Sequence, residues 1–168
     1  SNRDPAAASS SVSDGKLVTR GQSPVSAGAD RPLASPAAGS SSSRPRTVTG
    51  SVGRAFAARG WSVVSVDCDP RANASICCDL LELTAERCCS YGPVDFVWAS
   101  PPCTFYSIAR TTGPPADLEA ADRLVQKCLD LAAELGVPFI MENPWTGKLK
   151  NRPVVQGIPM RTCDYCMY

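Results

Sequence analysis

Residues 116–135 carry the strongest periodicity in the sequence, and a short apolar run flanks them on each side. Leu118, Ala121, Val125, Cys128, Ala132 and Leu135 recur at spacings of three and four. That pattern predicts one amphipathic helix over 116–135, ended by Gly136. Glu119 and Arg123 would pair on its outer face. The run before it, 94–99, reads as a buried strand. The run after it, 137–142, reads as the next strand, stopped by Pro144. A strand, a long helix and a strand in that order imply parallel pairing with a helix crossing over the sheet. The chain is therefore expected to be α/β.

The sequence upstream continues the alternation. Thr49-Gly50-Ser51 makes a turn and a helix cap, and Val52, Ala55, Phe56 and Ala57 give a short apolar face before Gly60. Residues 61–67 are rich in β-branched side chains and predict a strand. A second short strand is expected at 76–79 and a short helix at 80–88. Residues 1–46 are different: Ser, Ala, Pro and Gly dominate, and large apolar residues are few. Such a stretch cannot bury enough surface to offset its ordering entropy. The expected organisation is a disordered low-complexity tail, 1–46, followed by a folded domain, 47–168. A plain tail is favoured over an organelle transit peptide, which shares the Ser- and Ala-rich, acid-poor composition.

Charge and cysteine content exclude several function classes. The net charge is +1, so neither a polybasic arm nor an acidic tail is the main functional device. No apolar run reaches the ~18 residues of a membrane span, and no membrane partner is expected. There is no histidine, which removes Cys-His and Ser-His nucleophile pairs and His-containing zinc sites. The nine cysteines are odd in number and include two adjacent pairs, Cys77-Cys78 and Cys88-Cys89. Adjacent cysteines bridge only with strain, so the pattern is a poor disulfide framework. With no signal-peptide core at the start, the expectation is an intracellular chain with reduced thiols; nucleus, organelle and cytoplasm are left open. Cys163 and Cys166 form one C-x-x-C, where a zinc module ordinarily needs two. No metal is expected.

Three polar signals stand at strand ends, where open α/β sheets place their ligands. In the first, Gly50 allows a tight turn and Gly53 a close backbone approach. Asp67 then ends the next strand, where a carboxylate can accept both hydroxyls of a ribose. In the second, Ser100-Pro101-Pro102-Cys103-Thr104, two prolines stiffen the loop and remove two amide donors. That loop holds the Cys103 thiol in a position suited to nucleophilic attack; the plainer alternative is a buried core cysteine. In the third, Glu142-Asn143-Pro144, a carboxyl beside an amide can hydrogen-bond the edge of a planar heterocycle. Its alternative is a strand-to-loop cap.

In this order the three signals resemble the DNA cytosine-5 methyltransferase family, in a short, phage-like and truncated form. TGSVGRAFAARGWSVVSVDCDP is similar to that family's cofactor-binding start, ASPPCTFYS to its catalytic Pro-Cys loop, and MENP to its Glu-Asn motif. The resemblance covers roughly residues 47–168. It implies a Rossmann-like, mostly parallel methyltransferase sheet and methyl transfer from S-adenosylmethionine to carbon 5 of a cytosine flipped out of DNA. Cys103 would attack carbon 6 of the base and Glu142 would hold ring nitrogen 3 and the amino group. Thr49, Gly50 and Gly53 would line the cofactor, Asp67 would take its ribose and Asp79 its adenine amino group. Pro101 would face the cofactor and Pro102 the base. Asn143 would support the Glu142 loop, and Arg110 would contact a phosphate or help ionise the thiol.

The resemblance also implies an apolar strand before Thr49, central in the sheet, with a glycine where Val48 stands. Ser40 to Arg46 (SSSSRPR) does not read as such a strand. The expected sheet is therefore incomplete. The missing strand and Val48 motivate one alternative, a non-catalytic relic of a methyltransferase, and the nine cysteines motivate another, a small zinc-binding interaction module. A local cluster of Lys148, Lys150 and Arg152 would supply contacts to DNA phosphates.

Overall fold

A computed structural model describes residues 50–109 and 115–164. The expected tail over 1–46, together with Val48, Thr49, Arg110 and Cys166, lies outside the described residues. Helix α1 (Ser51–Ala57) is followed by strands β1 (Val66–Asp67) and β2 (Ile76–Cys77). Helix α2 (Ala85–Cys89), strand β3 (Val97–Ala99), helix α3 (Leu118–Leu135) and strand β4 (Phe139–Met141) complete the order, with short 3-10 turns between them. The expected α/β alternation is present, and both pairings between the described strands are parallel.

The described strands form two pairs, β1 with β2 and β3 with β4. In one, Val66 faces Ile76 and Asp67 faces Cys77. In the other, Val97, Trp98 and Ala99 face Phe139, Ile140 and Met141. Among the described residues no strand lies between β1 and β3 to join the pairs. Side chains join them instead. Val64 and Val66 from β1 and its approach, Ile76 from β2, Val97 from β3, Cys88 from α2 and Leu131 from α3 share one apolar cluster with Leu83. Complete burial of a Leu or Val side chain contributes roughly 1.5–3 kcal/mol.

The β1–β2 ladder is shorter than its β-branched sequence predicts, and two serines explain why. The Ser65 amide donates to Ser75 Oγ at 3.2 Å and the Ser75 amide donates to Ser65 Oγ at 3.0 Å. Hydroxyls thus accept amides that a longer ladder would have used. The expected helix over 80–88 is also divided. Asp79 caps a 3-10 turn at Leu80–Glu82, and Leu83 and Thr84 are extended. The Thr84 hydroxyl then caps α2, accepting from the Arg87 amide at 3.2 Å. Extending the chain here sends Leu83 into the core, where it is fully buried.

Helix α3 follows its periodicity closely. The Asp117 carboxylate accepts from the Ala120 amide at 2.8 Å to start it, and Gly136, at φ 65°, closes it. Ala121, Val125, Cys128, Leu131 and Ala132 are buried. Leu131 belongs to the first cluster, while Ala121 and Val125 pack in a second with Tyr106, Leu149 and Val155. One helix therefore spans both parts of the core. The described ion pairs are Arg71–Asp69 and Arg152–Asp122; the expected Glu119–Arg123 pair is not among them. Phe56, on the apolar face of helix α1, belongs to an aromatic trio. The Phe56 ring lies 5.3 Å from Trp61 and 5.6 Å from Phe96, centre to centre.

Candidate functional site at the strand ends

The carboxyl ends of β3 and β4 are adjacent because the strands are parallel and in register at Ala99 and Met141. Past those residues the chain continues into Pro-Pro-Cys on one side and Glu-Asn on the other. The Glu142 amide donates to the Ala99 carbonyl at 2.8 Å, extending the ladder by one bond. The Asn143 side-chain amide then donates to the Pro101 carbonyl at 3.0 Å. Two prolines leave the loop few donors of its own, so the bond that fixes it comes from the neighbouring strand end. Trp98 Nε1 donates to Ser100 Oγ at 2.9 Å at the start of the same loop. Pro101 is buried, while Pro102, Cys103, Glu142 and Asn143 are half-buried. The structure thus brings together five of the residues singled out in the sequence.

Beyond Cys103 the loop turns back, and the Tyr106 amide donates to the Cys103 carbonyl at 3.0 Å. Tyr106 is fully buried. Its hydroxyl donates to Asp122 Oδ1 at 2.8 Å, and burial, then that bond, push it above the usual phenol range. Asp122 also receives the Arg152 guanidinium, with Nε at 2.9 Å and Nη2 at 2.6 Å from Oδ2. That hydrogen bond raises the Arg152 guanidinium further. The sequence reading missed Tyr106 and Asp122. One signal was available: Asp122 stands directly beside the buried face of α3, where an acid requires a partner.

The basic cluster is correspondingly smaller than expected. Arg152 is occupied by Asp122. Lys150 Nζ lies over the Trp145 ring, 4.5 Å from its centroid, and Trp145 is exposed. Lys148 is exposed. The surface cations left are Lys148 and Lys150.

The second group of expected residues gathers at the other strand pair. Asp67, at the end of β1, is buried, and its Oδ1 accepts the Asp69 amide at 2.9 Å. Asp79, just past β2, accepts the Leu81 amide at 2.9 Å. Burial first, then Asp67, with Asp79 and Asp69 adding to it, push the Cys68 thiol up; these carboxylates therefore act on one small region. The Asp69 carboxyl itself is held below the usual carboxylate range by hydrogen bonds from Arg71. Gly50 precedes α1 at φ 82°, a conformation that favours glycine, and Gly53 is buried in the helix. Thr49 and Arg110 lie outside the described residues.

Among the described residues Cys77, Cys78, Cys88, Cys89, Cys103, Cys128 and Cys163 are free thiols. Among the described residues no group of three or more His, Cys, Asp or Glu side chains is placed to hold a metal ion. No helix among them is long and apolar enough to cross a membrane.

No family model matches the chain, and no solved structure matches it. The chain is 34% identical over 133 residues to a protein of Frog virus 3 (isolate Goorha) described as "Probable DNA (cytosine-5)-methyltransferase". The match covers 71% of this chain and 60% of the viral protein. The strand-end motifs and this likeness support one family, as a partial match: the DNA (cytosine-5)-methyltransferases.

Proposed function

We propose that the chain supports methyl transfer from S-adenosylmethionine to carbon 5 of cytosine in DNA, through a covalent adduct on Cys103, on a Rossmann-like frame. The observation that carries this reading is the Asn143–Pro101 bond. It ties a proline-stiffened cysteine loop to a Glu-Asn strand end, a pairing of nucleophile and heterocycle-binding carboxyl that suits attack on a base. The viral relative supplies the reaction class.

The described residues fit the cofactor. Asp67 is a buried carboxylate at a strand end, the group a ribose's hydroxyls require. Gly50 supplies a positive-φ turn before α1, and Gly53 a side-chain-free surface. Asp79 would take the adenine amino group, and Pro101 would lie against the cofactor. Bound S-adenosylmethionine would supply an electrophilic methyl group, its sulfonium sulfur keeping the electron pair of the broken sulfur–methyl bond and leaving as neutral S-adenosylhomocysteine. Thr49 would complete its binding turn.

Cys103, as a thiolate, forms a bond to carbon 6 of the flipped cytosine. The carbon 5–carbon 6 π pair moves into the ring, and carbon 5 becomes the nucleophile. Glu142 holds nitrogen 3 and the amino group, favouring that electron-rich ring. Once carbon 5 carries the methyl group, its proton passes to a base. The electron pair re-forms the double bond, and the carbon–sulfur bond breaks to return the thiolate. Pro102 and Asn143 position the base and the Glu142 loop, and Arg110 contacts a phosphate or assists ionisation of the thiol.

The test is trapping on DNA containing 5-fluorocytosine, in which carbon 5 carries fluorine instead of the proton that must leave. With S-adenosylmethionine present, the chain is expected to form a stable adduct that Cys103→Ser cannot form. An adduct with the serine variant would overturn the assignment of the nucleophile. A second reading, a non-catalytic relic, is motivated by the sequence before Thr49, which does not read as the expected first strand, and by Val48 in place of a glycine. It predicts no calorimetric binding of S-adenosylmethionine and no adduct.

A further inference from the structure

Cys103 is flanked by two anchors on opposite sides in sequence. On one side Pro101 is fixed by Asn143. On the other, Tyr106 joins three parts of the fold. Its amide closes the turn onto Cys103, its carbonyl accepts the Lys148 amide at 2.9 Å, and its hydroxyl reaches Asp122 in α3. Arg152 completes the link from the far side. The approach is close: a Cβ on Gly147 would lie 3.1 Å from the Pro144 carbonyl oxygen, 3.4 Å from the Tyr106 oxygen and 3.5 Å from Tyr106 Cβ. A side chain at 147 would press on the Pro144 carbonyl and rest in ordinary contact with Tyr106, so this turn packs directly against the tyrosine.

We propose that Tyr106, Asp122 and Arg152 form a tether that positions Cys103 for attack, an inference that rests on the nucleophile assignment above. Ring burial alone would hold the loop near the core, and phenylalanine would serve as well as tyrosine. The hydroxyl adds direction. It accounts for a carboxylate among apolar neighbours, and the two-point Arg152 contact fixes that carboxylate's orientation. Tyr106, Asp122 and Arg152 are positioning residues and none is required to touch the base.

The test compares the full chain with Tyr106→Phe and, independently, Arg152→Gln, in two assays. The first is the rate of iodoacetamide alkylation at Cys103, followed by peptide mass spectrometry without DNA or cofactor. Loosening the loop is expected to raise it several-fold, while Cys128, buried in the core, stays protected. The second is the rate of adduct formation on 5-fluorocytosine DNA, expected to fall about tenfold with unchanged DNA affinity. Opposite movement of the two rates is the signature of lost positioning. Unchanged alkylation at Cys103 in both variants would overturn the tether. Equal deprotection of Cys103 and Cys128 in both would also overturn it, showing a packing role only. If the unmodified chain forms no adduct, the functional reading fails, and the alkylation assay still decides the tether.

Discussion

The side-chain amide of Asn143 donates a 3.0 Å hydrogen bond to the carbonyl of Pro101, across 42 residues of sequence. The other polar atom of that side chain, Oδ1, is buried with no hydrogen-bond partner. Asn143→Ala removes a useful bond and an unsatisfied acceptor together. A typical hydrogen bond contributes about 1 kcal/mol net, and a buried orphan costs about 1–3 kcal/mol. The terms oppose each other, so stability by urea denaturation is expected to change by less than about 1 kcal/mol. The adduct rate is expected to fall at least tenfold. A large stability loss with an unchanged adduct rate would mean that the bond serves the fold alone.

Cys128 and Cys88 make the fold sensitive to alkali. Burial pushes the Cys128 thiol up to about 12, and burial, then Cys89, pushes Cys88 up to about 11, from an ordinary 9.0. Raised folded values mean that the unfolded chain loses these protons first. Their contribution is fully present below pH 9 and is lost as pH rises toward 11 and 12. Each thiol adds a slope of ~1.4 kcal/mol per pH unit within its window. Cys128→Ala is expected to remove one such slope from the alkaline limb of a pH-dependent unfolding series. An unchanged limb would contradict the burial argument.

Leu131 is fully buried where α3 meets both strand pairs. Leu131→Ala leaves a cavity and is expected to cost about 2–5 kcal/mol. Thermal unfolding monitored by circular dichroism checks it. A cost below about 1 kcal/mol would show that the pairs are held together elsewhere.

Of the Lys148, Lys150 and Arg152 cluster, the two lysines remain for a phosphate, since Arg152 is turned toward Asp122. If both contact phosphates, replacing both with alanine lowers the log–log salt slope of DNA binding by ~2, at ~0.9 per contact. Arg152→Ala is expected to leave that slope unchanged. The reverse pattern, with Arg152 carrying the slope, would place the DNA on another face.

The sequence was most readable where one residue settles a local choice. The apolar spacing of α3 and the cap at Gly136 marked that helix, and prolines after 99 and 143 marked two strand ends. It was least readable where a side chain replaces the backbone. Ser65 and Ser75 shorten a ladder that β-branched neighbours predict to be longer, and Thr84 divides a stretch that looks continuous. At the site, Cys103, Glu142 and Asn143 were visible from their motifs. Tyr106 was not, because its partners Asp122 and Arg152 come from distant segments and no local pattern joins them. Arg152 looked like a surface charge for the same reason.

The two strand pairs close very different loops. Ser65 meets Ser75 over 10 residues, whereas Asn143 meets Pro101 over 42. Loop-closure entropy makes the longer closure costlier by ~1.3 kcal/mol, and α3 must already lie across the core to compensate. The β1–β2 pair is therefore expected to form early and the β3–β4 pair late in folding. The cysteine loop and its glutamate would then be the last part of the molecule to be assembled and, under mild denaturant, the first to come apart.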